Sequence, residues 1–330
     1  MHPFTPSPAE SVAALGESAL LRAIRGWLGA AAPPSPWGMG DDCAVLETAG
    51  AIQVLATTDG VVYGRHFDDT AAPTAVGAKL LKRNVSDIAA MGGQPASALI
   101  NLLLARNVST AWLEQFYTGL AQSARQYRVR VVGGDIAQAP DGFFAAHLTL
   151  LGLPGKTLLL RTNAQLGDFL FVTGELGGSI FGKHLEFTPR LAEGQWLATQ
   201  PGIRGVIDVT DGLAKDLPTI LPAGADARLD VAALPISNAA RELAARDGHS
   251  ALLHALTDGE DYELLFALDP AVGADAFAAR WREQFSTPLT CIGVIVPALP
   301  SEALPPGGQL RDGSGTLLLP PGAHGYEHLR

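Results

Sequence analysis

Hydrophobic residues recur along this chain with two different periods. Between Ser18 and Leu28, the residues Leu20, Leu21, Ile24 and Leu28 keep the three-to-four spacing of a helix, and the pattern breaks at Pro33, Pro34 and Pro36. The same period returns over 76–91, where Leu80, Leu81, Val85 and Ile88 form one apolar face, and over 111–127, with Leu113, Phe116, Leu120 and Ala124. Short apolar stretches bounded by glycine and aspartate predict strands at Val45-Leu46, Ile52 to Ala56, Val129 to Val132 and Ala145 to Leu151. The runs Leu102-Leu103-Leu104 and Leu158-Leu159-Leu160 have strand length and read as buried strands.

The turn Leu153-Pro154-Gly155-Lys156 is the expected boundary between two domains, 1–153 and 154–330, because the alternation of strand and helix starts afresh at Phe169 to Thr173. A glycine-rich turn from Gly174 to Gly182 follows, then a strand at Val206 to Val209 and helices from Leu213 to Leu221 and Asn238 to Arg246. A strand at Tyr262 to Ala267 and a helix around Ala274 to Phe285 complete the pattern, and the tail after Pro297 reads as irregular surface strands and loops. A length of 330 residues suits two domains, and the alternation predicts the α/β class.

Composition narrows the function. With 47% hydrophobic and 17% charged residues the chain can bury enough apolar surface to fold. A net charge of -10 and the lack of any Lys/Arg-rich run argue against a nucleic-acid partner. No stretch approaches the ~20 apolar residues of a membrane span, and no leader pattern opens the chain, so neither membrane insertion nor secretion is expected. Cys43 and Cys291 lie in separate halves without a C-x-x-C or histidine companion, which fits a reducing cytoplasm and no zinc site.

The chemistry is carried by short acidic clusters flanked by glycine at strand ends and on one helix. They are Gly40-Asp41-Asp42, Thr57-Thr58-Asp59-Gly60, Asn84-Val85-Ser86-Asp87, Gly133-Gly134-Asp135, Asp208-Val209-Thr210-Asp211-Gly212 and Gly259-Glu260-Asp261. Convergent carboxylates repel one another unless a divalent cation neutralises them, so Mg²⁺ carrying a polyphosphate is the expected guest. Asn84 and Asp87 share a helix face beside the apolar stripe, which turns a carboxylate toward a ligand. Gly133 and Gly134, after an apolar strand, would let backbone N–H groups approach a phosphate while Asp135 reaches a metal. Hydroxyls at Thr57, Thr58 and Thr210 stand beside aspartates and suit a hard-cation shell, and His66 can contact an anionic substrate. Gly155-Lys156-Thr157 is no Walker motif, because Leu150 occupies the place of the first glycine; Gly38-Met39-Gly40 lacks the third glycine of a dinucleotide fingerprint, having Cys43 there.

Taken in order, Gly38-Met39-Gly40-Asp41-Asp42-Cys43-Ala44, Thr57-Thr58-Asp59-Gly60, Asn84-Val85-Ser86-Asp87-Ile88-Ala89-Ala90-Met91-Gly92, Gly133-Gly134-Asp135, Asp208-Val209-Thr210-Asp211-Gly212-Leu213, Gly259-Glu260-Asp261-Tyr262-Glu263-Leu264 and Gly325-Tyr326-Glu327-His328 resemble the motifs of the thiamine-monophosphate kinases. That family sits in the superfamily of aminoimidazole ribonucleotide synthetase. The resemblance implies ATP-dependent phosphorylation of thiamine monophosphate to thiamine diphosphate on a two-domain fold of α+β-like mixed sheets. It also implies a homodimer in which the N-terminal sheets join into a barrel.

By the same resemblance, Asp42, Asp59, Asp87, Asp135, Asp208 and Asp211 would bind several Mg²⁺ ions with Thr57 and Thr58. Gly134, Asp135, Arg161 and Thr210 would meet ATP, and His66, Glu260 and Asp261 would meet thiamine monophosphate. Thr210 stands where the family commonly has serine and keeps the hydroxyl. Ala323 and His324 replace an aromatic residue before the last motif, leaving Tyr326 as a substitute for stacking on the thiamine.

The acceptor is an ionised phosphate oxygen, so in-line attack on the γ-phosphate, oriented by metals and Arg161, needs no catalytic base. Selenophosphate synthetases and hydrogenase-maturation proteins of the same superfamily are disfavoured. The stretch before Gly40 has neither cysteine nor lysine, and the last residues are Glu327-His328-Leu329-Arg330 rather than a cysteine. A purine-pathway synthetase or a non-catalytic nucleotide-binding or cation-binding protein is the remaining alternative.

Overall fold

Apolar periodicity of 3.6 in two long segments and of 2 in the strands between them builds a layered first half. The computed structural model describes residues 5–47, 53–299, 308–319 and 325–326. Ile52, Ala323, His324 and the last four residues from Glu327 to Arg330 lie outside the described residues.

Helices α1 (Val12–Leu15) and α2 (Glu17–Leu28) lead into strands β1 (Ala44–Glu47) and β2 (Gln53–Val62). Helix α3 (Pro73–Ala90), β3 (Gln94–Leu104), α4 (Thr110–Gln126), β4 (Arg130–Gln138) and β5 (Phe144–Leu153) follow. The five strands form one sheet in the order β1-β2-β5-β3-β4, antiparallel except for the β3–β4 pair. Leu80, Leu81, Val85 and Ile88 of α3 pack with Phe116 and Leu120 of α4 onto Leu148 and Leu150 of β5. The helices cross so closely that a Cβ on Gly77 would lie 1.8 Å from the Phe116 carbonyl oxygen, so the side-chain-free residue sets the crossing.

The edge strand β4 keeps all 9 of its residues exposed, with Val132 at 62% and Ile136 at 69%. The Gly133-Gly134-Asp135 segment, expected just beyond a strand ending at Val132, lies inside β4 and pairs with Leu99, Ile100 and Asn101. Gly134 is needed because a Cβ there would lie 1.8 Å from the Ile100 carbonyl oxygen, beside an irregularity in the ladder.

The second sheet holds β6 (Phe169–Thr173), β7 (Ile203–Val209), β8 (Ala225–Leu229), β9 (Glu263–Leu268), β10 (Leu289–Pro297) and β11 (Leu310–Arg311), in the order β11-β8-β10-β6-β9-β7. Its helices are α5 (Lys183–Glu186), α6 (Leu191–Leu197), α7 (Leu213–Asp216), α8 (Asn238–Asp247), α9 (Ala251–Thr257) and α10 (Ala274–Gln284). Successive residues of β9 serve opposite cores: Leu265 and Ala267 pack with α7 and α9, whereas Leu264, Phe266 and Leu268 pack with α6 and α10. Covered on both faces, β9 is apolar throughout Leu264–Leu268, the pattern of a central strand.

Leu158-Leu159-Leu160 is no strand. Among the described residues its backbone makes only isolated bonds, Leu159 N–H to Met91 O and Val206 N–H to Leu160 O, both at 3.4 Å, and no ladder. The segment expected as one helix from Leu213 to Leu221 is α7 followed by a 3-10 turn at Leu217–Ile220, where Pro218 supplies no N–H to continue the α-helical bonds.

Candidate active site

Four segments deliver carboxylates to one place. The loop before β1 carries Asp41 and Asp42, β2 carries Thr57 and Asp59, α3 carries Asp87, and β7 carries Asp208. One oxygen each from Asp42, Asp87 and Asp208 lies within 4.8 Å of the others. Asp87 accepts a hydrogen bond from the Thr57 hydroxyl and Asp208 one from the Ser86 hydroxyl, each at 2.5 Å. Burial first, and then the charges of the neighbouring aspartates, push the carboxyl pKa of Asp87 and Asp208 well above the ordinary range.

Arg161, in the 3-10 turn Arg161–Asn163, closes this cluster on the second-sheet side. Its guanidinium pairs with Asp42, and its backbone N–H donates to Asp41 at 3.2 Å. Asp41 is nevertheless pushed up to about 6, because burial and the charge of Asp42 outweigh Arg161. Asp216 accepts the N–H groups of Thr210 and Asp211 at 2.8 and 2.9 Å and so shapes the turn after β7.

Beside the aspartates opens a cavity of about 420 Å³. Asp59, Asp87, Thr210 and Asp211 line it, as do His66, Glu260 and Tyr326, with Arg65, Arg83 and Asp258. Its cations are arranged from α3. Lys79 Nζ lies 2.7 and 2.9 Å from the two Glu260 oxygens and donates to His66 O at 3.1 Å. Arg83 Nε lies 2.7 Å from Asp59, without its N–H aimed along that line, so that contact is ionic rather than a hydrogen bond. Although burial works the other way, the charge and hydrogen bond of Lys79 hold the Glu260 carboxyl below its ordinary pKa.

Glu260 and Tyr262 both have left-handed backbones, φ 51 and 52, which non-glycine residues adopt only under constraint. The constraint is visible. Glu260 N–H donates to Thr210 O at 2.7 Å, Tyr262 N–H to Val209 O at 2.8 Å, and the Tyr262 ring stacks on Phe187 with centroids 3.6 Å apart.

The structure therefore gathers Asp42, Asp87, Asp208, Thr57 and Arg161 in the cluster, and Asp59, His66, Thr210, Asp211, Glu260 and Tyr326 around the cavity. Other expected residues are not brought there. The Thr58 hydroxyl points to the opposite face of β2, meeting Thr149 at 3.3 Å. Gly134 and Asp135 stand on exposed β4, and Asp261 is buried behind the cavity, accepting the Gly177 N–H at 2.9 Å. Asn84 is fully buried and donates to Leu80 O, so it does not present itself to a ligand. Sequence reasoning missed Lys79, Arg83, Ser86, Arg65, Asp216 and Asp258. The spacing of four through Lys79, Arg83 and Asp87 on a single helix face was the available signal for two of them.

Comparison with known proteins agrees with this geometry. The profile of the family described as AIR synthase related protein, N-terminal domain, matches residues 40–153. The thiamine-monophosphate kinase of Rhodopirellula baltica is 37% identical over 268 residues, covering 78% of this chain and 83% of that one. The corresponding kinase of Salmonella typhimurium is 36% identical over 287 residues, with 78% and 83% covered. Among solved structures, AaThiL complexed with AMPPCP and TMP superimposes with a TM-score of 0.80 at 26% identity, over 98% of this chain and 100% of that one.

Proposed function

The chain belongs to the thiamine-monophosphate kinase family, and on that premise we propose how its acidic cavity works. The protein is a kinase that phosphorylates thiamine monophosphate at the expense of ATP, on the mixed α/β fold of the AIR synthase group. The observation that carries the site assignment is the convergence of Asp42, Asp87 and Asp208, of which Asp87 also lines the 420 Å³ cavity.

That donor set fits Mg²⁺. Hard carboxylate oxygens converge within 4.8 Å, and Asp87 and Asp208 have hydroxyl partners, Thr57 and Ser86, that leave their charge in place. Asp42, Asp87 and Asp208 would hold the metal, with Asp59 and Asp211 on the adjoining cavity wall available to further ions. Bound there, Mg²⁺ would neutralise phosphate charge and so remove the repulsion between two polyanions.

The protein's own groups do the positioning. Arg161, fixed by Asp42, and Thr210 face the nucleotide phosphates, whereas His66, Glu260 and Tyr326 enclose the acceptor. Arg65 lines the same cavity, forms no ion pair among the described residues, and supplies a guanidinium to the acceptor's phosphate. An acceptor oxygen that is already ionised attacks the γ-phosphorus in line, so these residues orient and exclude water rather than remove a proton.

The exposed apolar residues of β4, Val131, Val132 and Ile136 with Leu99 of β3, support a homodimer closed through this sheet. Sedimentation of the protein and of its Ile136→Glu variant tests this: a dimer that dissociates in the variant supports it, and a wild-type monomer overturns it. No helix among the described residues is long and apolar enough to cross a membrane.

The activity is tested by following ADP and thiamine diphosphate from ATP, Mg²⁺ and thiamine monophosphate, with free thiamine and aminoimidazole-pathway substrate as controls. Product with thiamine monophosphate alone is expected; turnover only with a control substrate would overturn the assignment.

A further inference from the structure

We propose that Asp258 is a positioning residue of the acceptor pocket, held from behind by His254 and Asp247 so that it fixes the backbone of 177–180 as one wall of the cavity. This rests on reading the cavity as the thiamine monophosphate pocket. Asp258 lines that cavity. Its Oδ2 accepts the Gly178 N–H at 2.7 Å, and its Oδ1 lies 2.9 Å from His254 Nδ1. On the far side, His254 Nε2 lies 3.2 Å from Asp247 Oδ2. A chain of polar contacts thus runs from the end of α8, through the α9 histidine, to the pocket wall.

The wall has little room to settle elsewhere. A Cβ on Gly178 would lie 2.4 Å from the Ala239 and Ala240 backbone, and one on Gly177 would lie 2.7 Å from Ala255 N. The loop is thereby pressed onto both helices, and Ser179 adds a hydrogen bond from its hydroxyl to Gly259 O at 2.7 Å. Immediately beyond Gly178, Ser179 and Ile180 line the cavity, and Ile180 remains 62% exposed. Asp258 therefore acts on the acceptor through the loop it holds, at the place where an acceptor meets Ser179 and Ile180.

His254 is only 6% exposed. Burial favours its neutral form, but the bonds and charges of Asp258 and Asp247 outweigh that and raise its pKa. His249, with its ring centroid 6.1 Å away, also stands beside it, and Asp258 in turn feels the charge of Asp261. A doubly protonated imidazole can donate to both carboxylates at once; the neutral ring has only one N–H and must release one of them. The wall should accordingly loosen as pH rises past the imidazolium range.

The test combines amide hydrogen exchange with steady-state kinetics on the full chain, in wild type, Asp258→Ala and His254→Gln. Expected in Asp258→Ala are about tenfold faster exchange at Gly178 and an acceptor KM raised about tenfold, the size of one charge-assisted hydrogen bond, with the KM for ATP within about twofold of wild type. His254→Gln should abolish the alkaline rise of the acceptor KM that the wild type shows. Exchange and acceptor KM close to wild type in both variants would overturn the proposal, as would an equal rise of both KM values with a lowered Tm, which marks a general structural role. Faster exchange at Gly178 in a protein whose wild type ignores thiamine monophosphate would support the anchor and overturn the pocket reading instead.

Discussion

Asp87 and Asp208 in the acidic cluster, and Glu260 and Asp258 on the lining of the cavity, are carboxylates with opposite surroundings. The first two are met by hydroxyls, Thr57 and Ser86, and by further aspartates. Glu260 is met by Lys79, and Asp258 by His254 and a backbone N–H. The consequence shows in their acidity. Burial and like charge push the Asp87 and Asp208 carboxyls up, whereas Lys79 overcomes burial and holds the Glu260 carboxyl down. Residue type does not separate these groups; the partner does. Asp87 and Asp208, which form no ion pair among the described residues, are placed for incoming cations, whereas Glu260 and Asp258, met by Lys79 and His254, belong to the framework.

The largest expected effect breaks the unbalanced side. Asp208→Asn should lower kcat on the order of 10³-fold, as loss of a preorganised electrostatic group does, while Tm in a chelator does not fall, because a repelling charge has gone. A parallel drop of Tm and rate would place Asp208 in the framework instead.

On the balanced side the order reverses. Lys79→Met strands Glu260 without its cation and should cost about 3 kcal/mol in urea unfolding, and adding Glu260→Gln should recover part of that loss. Arg65→Gln, which breaks no ion pair among the described residues, should leave Tm unchanged and raise the acceptor KM about tenfold, read from initial rates at saturating ATP.

The last effect is a slope with pH. Burial pushes Asp261 up to about 7 from an ordinary 3.8, so the native state binds a proton that the unfolded chain has released. Its contribution to stability is greatest below about pH 4, declines by at most about 1.4 kcal/mol per pH unit as pH rises toward 7, and is flat above that. Asp261→Asn should flatten that part of the urea-midpoint profile.

The cation-binding side was legible because its chemistry is local. Gly40-Asp41-Asp42, Asn84-Val85-Ser86-Asp87 and Asp208-Val209-Thr210-Asp211 each place an aspartate at an element's end or on a helix face, and three such aspartates converge. The framework was not legible to the same degree, because its pairs join residues far apart in the chain, as Lys79 and Glu260 do. Some errors had readable causes. The two-residue period of β2 already separates Thr57 from Thr58, and the i,i+4 spacing of His254 and Asp258 was there to be noticed. Others did not. Glycines in Gly133-Gly134 look the same whether they make a turn or admit a neighbouring carbonyl, and only the Ile100 backbone decides it. Strand β8 hid behind Asp226, a buried acid whose partner Arg311 lies on β11. Leu158-Leu159-Leu160 had the apolarity of a strand and no strand beside it to complete a ladder.

The most direct test of the contrast is Mg²⁺ titration of thiamine-monophosphate-dependent ADP release in wild type, Asp208→Asn and Asp258→Ala. Wild type should require Mg²⁺, Asp208→Asn should stay inactive or need far more of it, and Asp258→Ala should keep the wild-type Mg²⁺ dependence while needing more acceptor. Equal Mg²⁺ dependence in wild type and Asp208→Asn, at similar rates, would contradict the division of the cavity into a cation-binding side and a framework side.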